Sequence, residues 1–152
     1  MMTQEKKKLI FNAIESYTIL KGLFTQFKEM CTGFLAKENA FKLGIQDSND
    51  VSFKLTAFDS TVFATFSMVL SSKDTACGKI TFERLIEDDD NEEIWVLYFD
   101  HQGNLRESLA QKMSLYNMTD SKCFQDIILN FLDNYLHLPC FKADEGSGIS
   151  TI

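Results

Sequence analysis

Along residues 9–34 the apolar positions recur in steps of three and four. Leu9, Ile10, Ala13, Ile14, Tyr17, Leu20, Phe24, Phe27, Cys31 and Phe34 keep one phase throughout, the mark of an amphipathic helix. Thr3 can supply the N-cap, and Gly33 or the stretch 37–39 the end. The predicted helix, 4–36, is about 50 Å long, whereas a globule of 152 residues has a radius of gyration near ~15 Å. Such a helix overhangs a single domain unless Gly22 bends it. Its far end therefore needs something else to pack on, and a second subunit would serve.

From residue 40 the period changes from three and four to two. Alternation predicts strands at 40–46 (Phe41, Leu43, Ile45), 51–58 (Val51, Phe53, Leu55, Ala57) and 61–70 (Val62, Ala64, Phe66, Met68, Leu70), then 79–86 and 94–100. The joining segments, "DSND", "DS", 71–78 and "EDDDNEE", are short and turn-rich, so the sheet is an antiparallel meander. The stretch 104–118 fits two patterns; a short sixth strand at 104–109 followed by irregular chain is expected. Asp120 or Ser121 can cap a last helix whose Phe124, Ile127, Ile128, Phe131, Leu132 and Tyr135 form one stripe, with Pro139 as its stop. The predicted fold is α+β: a long N-terminal helix, a five- or six-stranded antiparallel meander and a C-terminal helix, with both helices on one sheet face. Residues 1–142 form one domain, and 143–152 read as a flexible tail.

One strand breaks the alternation. Residues 94–99 read Ile-Trp-Val-Leu-Tyr-Phe, apolar on both sides, and Phe63 and Val69 lie opposite the main apolar row of their own strand. A meander with one solvated face should alternate cleanly. Phe63, Val69, Trp95, Leu97 and Phe99 are therefore expected to form a second apolar face, facing a second copy or a ligand. In the alternative, Phe53, Phe66, Phe82 and Tyr98 line a cavity between helices and sheet for a small apolar ligand.

Charge narrows the choice. The net charge is −7, and it is unevenly placed. Residues 1–42 carry seven Lys against four acids (+3), and 43–152 carry eight Lys or Arg against 18 acids (−10). An acidic body repels a phosphate backbone, so no nucleic-acid partner is expected. Glu87, Asp88, Asp89, Asp90, Glu92 and Glu93 make an acidic patch that suits a basic protein partner. Asn12, Glu15 and Ser16 interrupt the apolar run after Lys6–Lys8, which argues against a signal segment, and no stretch is apolar enough for a membrane span. Cys31, Cys77, Cys123 and Cys140 stand far apart without a C-x-x-C pair. Free thiols in a cytoplasmic protein are the reading.

Little in the chain suggests catalysis. Asp100 and His101 are adjacent, and neighbouring strand residues point to opposite faces. "DHQGN" is turn chemistry rather than an acid/base pair. Cys123 falls in the first turn of the last helix, where the dipole favours a thiolate. It would also need a base from His101 or His137, and it sits in no nucleophile motif. His137 and Cys140, with Asp133 a turn earlier, lack a fourth metal ligand. Phosphate-binding glycine loops are absent. Neither a cofactor nor a metal is expected. The sequence points to a non-enzymatic binding or interaction protein, homodimeric through the second sheet face or the long helix; a cysteine enzyme using Cys123 is the weaker alternative.

Overall fold

In the computed structural model, which describes residues 1–86 and 90–143, the two predicted helices flank a seven-stranded sheet. Helix α1 runs unbroken from Gln4 to Lys37, and Gly22 does not interrupt it. Thr3 caps it, its hydroxyl accepting the Lys6 N–H at 3.2 Å. Only Leu20, Phe24, Phe27, Cys31 and Leu35 of this helix are buried, so the stripe meets the core in its second half alone.

The strands are β1 (Gly44–Asn49), β2 (Ser52–Ala57), β3 (Ser60–Leu70), β4 (Ala76–Leu85), β5 (Asn91–Phe99), β6 (Asn104–Arg106) and β7 (Tyr116–Asn117). They pair in sequence order, each antiparallel to the next. Two short strands at the end raise the predicted five or six to seven. The first strand also starts later than expected, because Asn39–Phe41 form a 3-10 turn that Lys42 leaves at φ 51°. Residues 107–115, between β6 and β7, carry no regular structure. Helix α2, Phe124–Leu136, follows a 3-10 turn, Ser121–Cys123, that Asp120 caps.

Both helices cover the same sheet face, and aromatic rings make the join. Phe24 lies 5.8 Å from Phe53 and 5.6 Å from Phe66, Phe27 meets Phe124 at 5.4 Å, and Phe131 meets Phe82 at 5.3 Å. Tyr135, fully buried, donates its hydroxyl to the Ala57 carbonyl. These phenylalanines form one layer between helices and sheet, at spacings where aromatic pairs attract beyond their area.

The two-sided strand is resolved by a bulge. Phe82 pairs with Trp95 but Glu83 pairs with Glu93, leaving Ile94 as the extra residue of β5. The bulge reverses the phase of alternation, so Trp95, Leu97 and Phe99 all point under the helices, in line with Phe82, Ile80 and Gly78. This corrects the expected second face: these three side chains belong to the main core. The uncovered face instead carries Phe63, Thr65, Ser67 and Val69 of β3, and Val96 and Tyr98 of β5.

Candidate functional site

The N-terminal half of α1 is the least accounted-for part of the molecule. Its sixteen residues before Leu20 extend about 24 Å, and none of them is buried. The inner side rests on the sheet's end: Leu9, Ala13 and Ser16 are half-buried, and the Ser16 hydroxyl lies 2.9 Å from His101 Nε2 in the β5–β6 turn. Beneath it, Leu9, Asn12, Ala13 and Ser16 face Leu70, Asp74, Thr75 and Ala76 across a cleft of about 330 Å³. The outer side is apolar yet open to water. Ile10, Phe11, Ile14 and Tyr17 are 43%, 63%, 59% and 39% exposed. Ile10, Ile14 and Tyr17 stand four and three residues apart, so they form one ridge two turns long.

Charge separates the two halves of this helix as sharply as burial does. Over the core, Lys28 reaches Asp47 at 2.8 Å and Lys21 reaches Asp50 at 3.6 Å, both acids belonging to the β1–β2 hairpin. The Lys28 ammonium holds the Asp47 carboxyl below its usual range against a smaller effect of burial. Beyond the core, Lys6, Lys7 and Lys8 have no ion pair among the described residues.

The other nominated residues fall as follows. Phe63 and Val69 lie half-exposed on the uncovered face, with the Lys54 ammonium 5.4 Å from the Phe63 ring. Phe53, Phe66 and Phe82 are buried against helix rings. Tyr98 is not with them; it points from the opposite face. Of the acidic patch, Glu87, Asp88 and Asp89 lie outside the described residues, as does 144–152 of the tail. Asp90 is exposed, Glu93 belongs to β5, and Glu92 lies half-buried 3.6 Å from Arg84.

Asp100 and His101 turn a corner together but work apart. The Asp100 carboxylate accepts from the backbone of Gln102 and Asn104 at 2.9 and 3.1 Å, and Gly103 closes the turn onto the Asp100 carbonyl with φ +81°. Cys123 occupies a 3-10 turn next to Asp120 and Asp126. Burial first, and then these two carboxylates, raise its thiol above the ordinary range, the opposite of what a nucleophile requires. His137 Nδ1 lies 2.7 Å from the Asp133 carbonyl. Among the described residues no three His, Cys, Asp or Glu side chains converge as metal ligands, and no helix is long and apolar enough to cross a membrane. No family model, curated protein or solved structure matches this chain.

Proposed function

We propose that the protein is a non-enzymatic interaction protein that self-associates through the N-terminal half of α1. The observation that carries this reading is the ridge of Ile10, Ile14 and Tyr17, flanked by Phe11, on a helix segment with no buried residue, whose Tyr17 marks the edge of the core with its ring 5.8 Å from Phe66. Side chains of this kind in one patch are costly to leave in water and mark contact surfaces.

A second copy fits the ridge in both shape and charge. Tyr17 extends the ridge on one side, and Ile10 and Ile14 are symmetric about residue 12. A two-fold axis there sets Ile10 of one helix against Ile14 of the other, running antiparallel, which makes the surface self-complementary. The same axis lays the unpaired Lys7 opposite Tyr17 of the other copy, and Lys8 opposite Ser16, one residue from Glu15. An anionic lipid surface would attract these lysines too, but it would repel the −10 carried by residues 43–152. The opposed charges of the two halves instead favour a copy of the same chain.

Light scattering after size exclusion, over a concentration series through the micromolar range, tests the reading. A mass that rises towards twice 17.4 kDa supports it. A single 17.4 kDa species at every concentration would overturn it.

A further inference from the structure

The sheet face that the helices leave uncovered carries a cationic row. The register places Lys79 of β4, Tyr98 of β5 and Arg106 of β6 side by side on that face, at the spacing of directly opposed cross-strand neighbours. Tyr98 and Arg106 also line a cleft of about 340 Å³. Its other walls include Asp100 at the end of β5, Leu109, Ala110 and Lys112 of the β6–β7 connection, Cys77 on the sheet and Thr75 from the β3–β4 turn.

Arg106 is held in place rather than consumed. Its Nη1 donates to Asp100 Oδ2 at 3.3 Å. That carboxylate already accepts from the Gln102 and Asn104 backbone and from Asn104 Nδ2. Burial would raise the Asp100 carboxyl, but these donors outweigh it and keep it below its usual range. Its charge is thus spread over four donors, while the rest of the guanidinium edge stays available. Lys79 and Lys112 have no ion pair among the described residues. Arg106 and Lys112 thus line the cleft with Tyr98, and Lys79 flanks Tyr98 from β4 outside the lining. Asp100, paired with Arg106, is the acid in the wall, on a chain of net charge −7. Asp74, in the same β3–β4 turn, lines the separate cleft under α1. Burial and then the Asp100 charge raise the Cys77 thiol, with Arg106 opposing, so a thiolate does not offset the cations.

We propose that this cleft binds a small organic carboxylate with a planar apolar body. The carboxylate would lie between Arg106 and Lys112, and the planar body against the Tyr98 ring and Leu109. The volume sits at the lower end of small-ligand pockets, which suits a mono- or bicyclic ring. Charge favours a carboxylate over a phosphate: Arg106 and Lys112 against Asp100 leave the lining at +1, a match for a monoanion rather than for a group near −2.

The test is a titration of the full chain with 2-naphthoate, followed by amide NMR shifts, beside its neutral counterpart 2-naphthalenemethanol. Saturable shifts confined to 71–77 and 98–112 are expected, with the neutral compound about tenfold weaker or worse. The Lys79→Ala, Lys112→Ala double variant touches no core residue and should weaken 2-naphthoate about tenfold. Arg106→Gln should do the same without moving the shifts of α1. Equal binding of both compounds would overturn the proposal. So would shifts mapping to 9–17, or no saturation at millimolar concentration.

Discussion

Ile14→Lys separates the ridge's part in self-association from any part in folding. Ile14 is 59% exposed in the single chain, so contact with a second copy can remove at most about three-fifths of its surface from water. Full burial of an isoleucine side chain stabilises by about 1.5–3 kcal/mol, which leaves roughly 1–2 kcal/mol here for each copy. Because a two-fold contact uses the residue twice, the dimer loses roughly 2–4 kcal/mol. That corresponds to about thirty- to several-hundred-fold weaker association, before the cost of bringing two lysines to the axis. The fold should be indifferent, because no core contact is removed. Sedimentation velocity should show the variant as monomer where the parent is dimer, and at dilutions where both are monomers their urea midpoints should agree. Gln26→Lys, an exposed change on the core half of α1, is the control and should leave the dimer alone. A variant that dimerises as tightly as the parent, or one whose isolated monomer unfolds at lower urea than the parent monomer, refutes the reasoning.

Three further outcomes follow from particular contacts. A Cβ on Gly78 would sit 2.1 Å from Cζ of Phe99, which is 1% exposed and has no room to withdraw. Gly78→Ala should therefore lower stability by about 1–3 kcal/mol, and in urea unfolding Phe99→Leu should recover part of that loss. Phe58 and Asp59 form the two-residue β2–β3 turn at φ 50° and 62°, where glycine is at ease and other residues carry about 1–2 kcal/mol of strain. Asp59→Gly should raise the thermal midpoint, and a fall would show that its carboxylate has a partner elsewhere. Phe58 is better left, since it stacks on Tyr135 at 5.8 Å. Asp100 has a folded pKa below its unfolded one, so its contribution is present above the unfolded carboxyl range and lost as pH falls through the folded value. Urea midpoints of the parent and Asp100→Asn should differ at neutral pH and converge in strong acid; a difference that persists there would contradict the assigned hydrogen bonds.

The parts of this fold that the sequence made legible are those where one period runs without interruption. Thr3, the phase from Leu9 to Phe34 and the stripe from Phe124 to Tyr135 each predict a helix that is present, because regular burial leaves a regular pattern. Strand boundaries were less legible. A 3-10 turn at Asn39–Phe41 holds the same alternating residues as a strand, and a two-residue strand such as β7 is too short to show a period at all. The overhang was legible as a length, since a helix of this size exceeds the domain. Which of its apolar residues stay exposed was not, because Ile10 and Phe24 belong to one unbroken phase and only tertiary packing tells them apart.

The strand 94–99 shows why a two-sided apolar pattern misdirects. Under strict alternation, Glu92 sharing a face with Arg84 would send Ile94, Val96 and Tyr98 inward. The bulge at Ile94 sends Trp95, Leu97 and Phe99 inward instead. Ile94 itself remains 8% exposed, so both residues at the phase change are covered. What looked like an appetite for two covers is one cover plus a phase change, and it leaves Val96 half-exposed opposite Thr81 and Tyr98 half-exposed between Lys79 and Arg106. The unsatisfied apolar surface therefore lies not on this strand but on the helix end at Ile10, Phe11, Ile14 and Tyr17. The proposed contact with a second copy is accordingly assigned there, and the proposed carboxylate to the opposite sheet face at Tyr98.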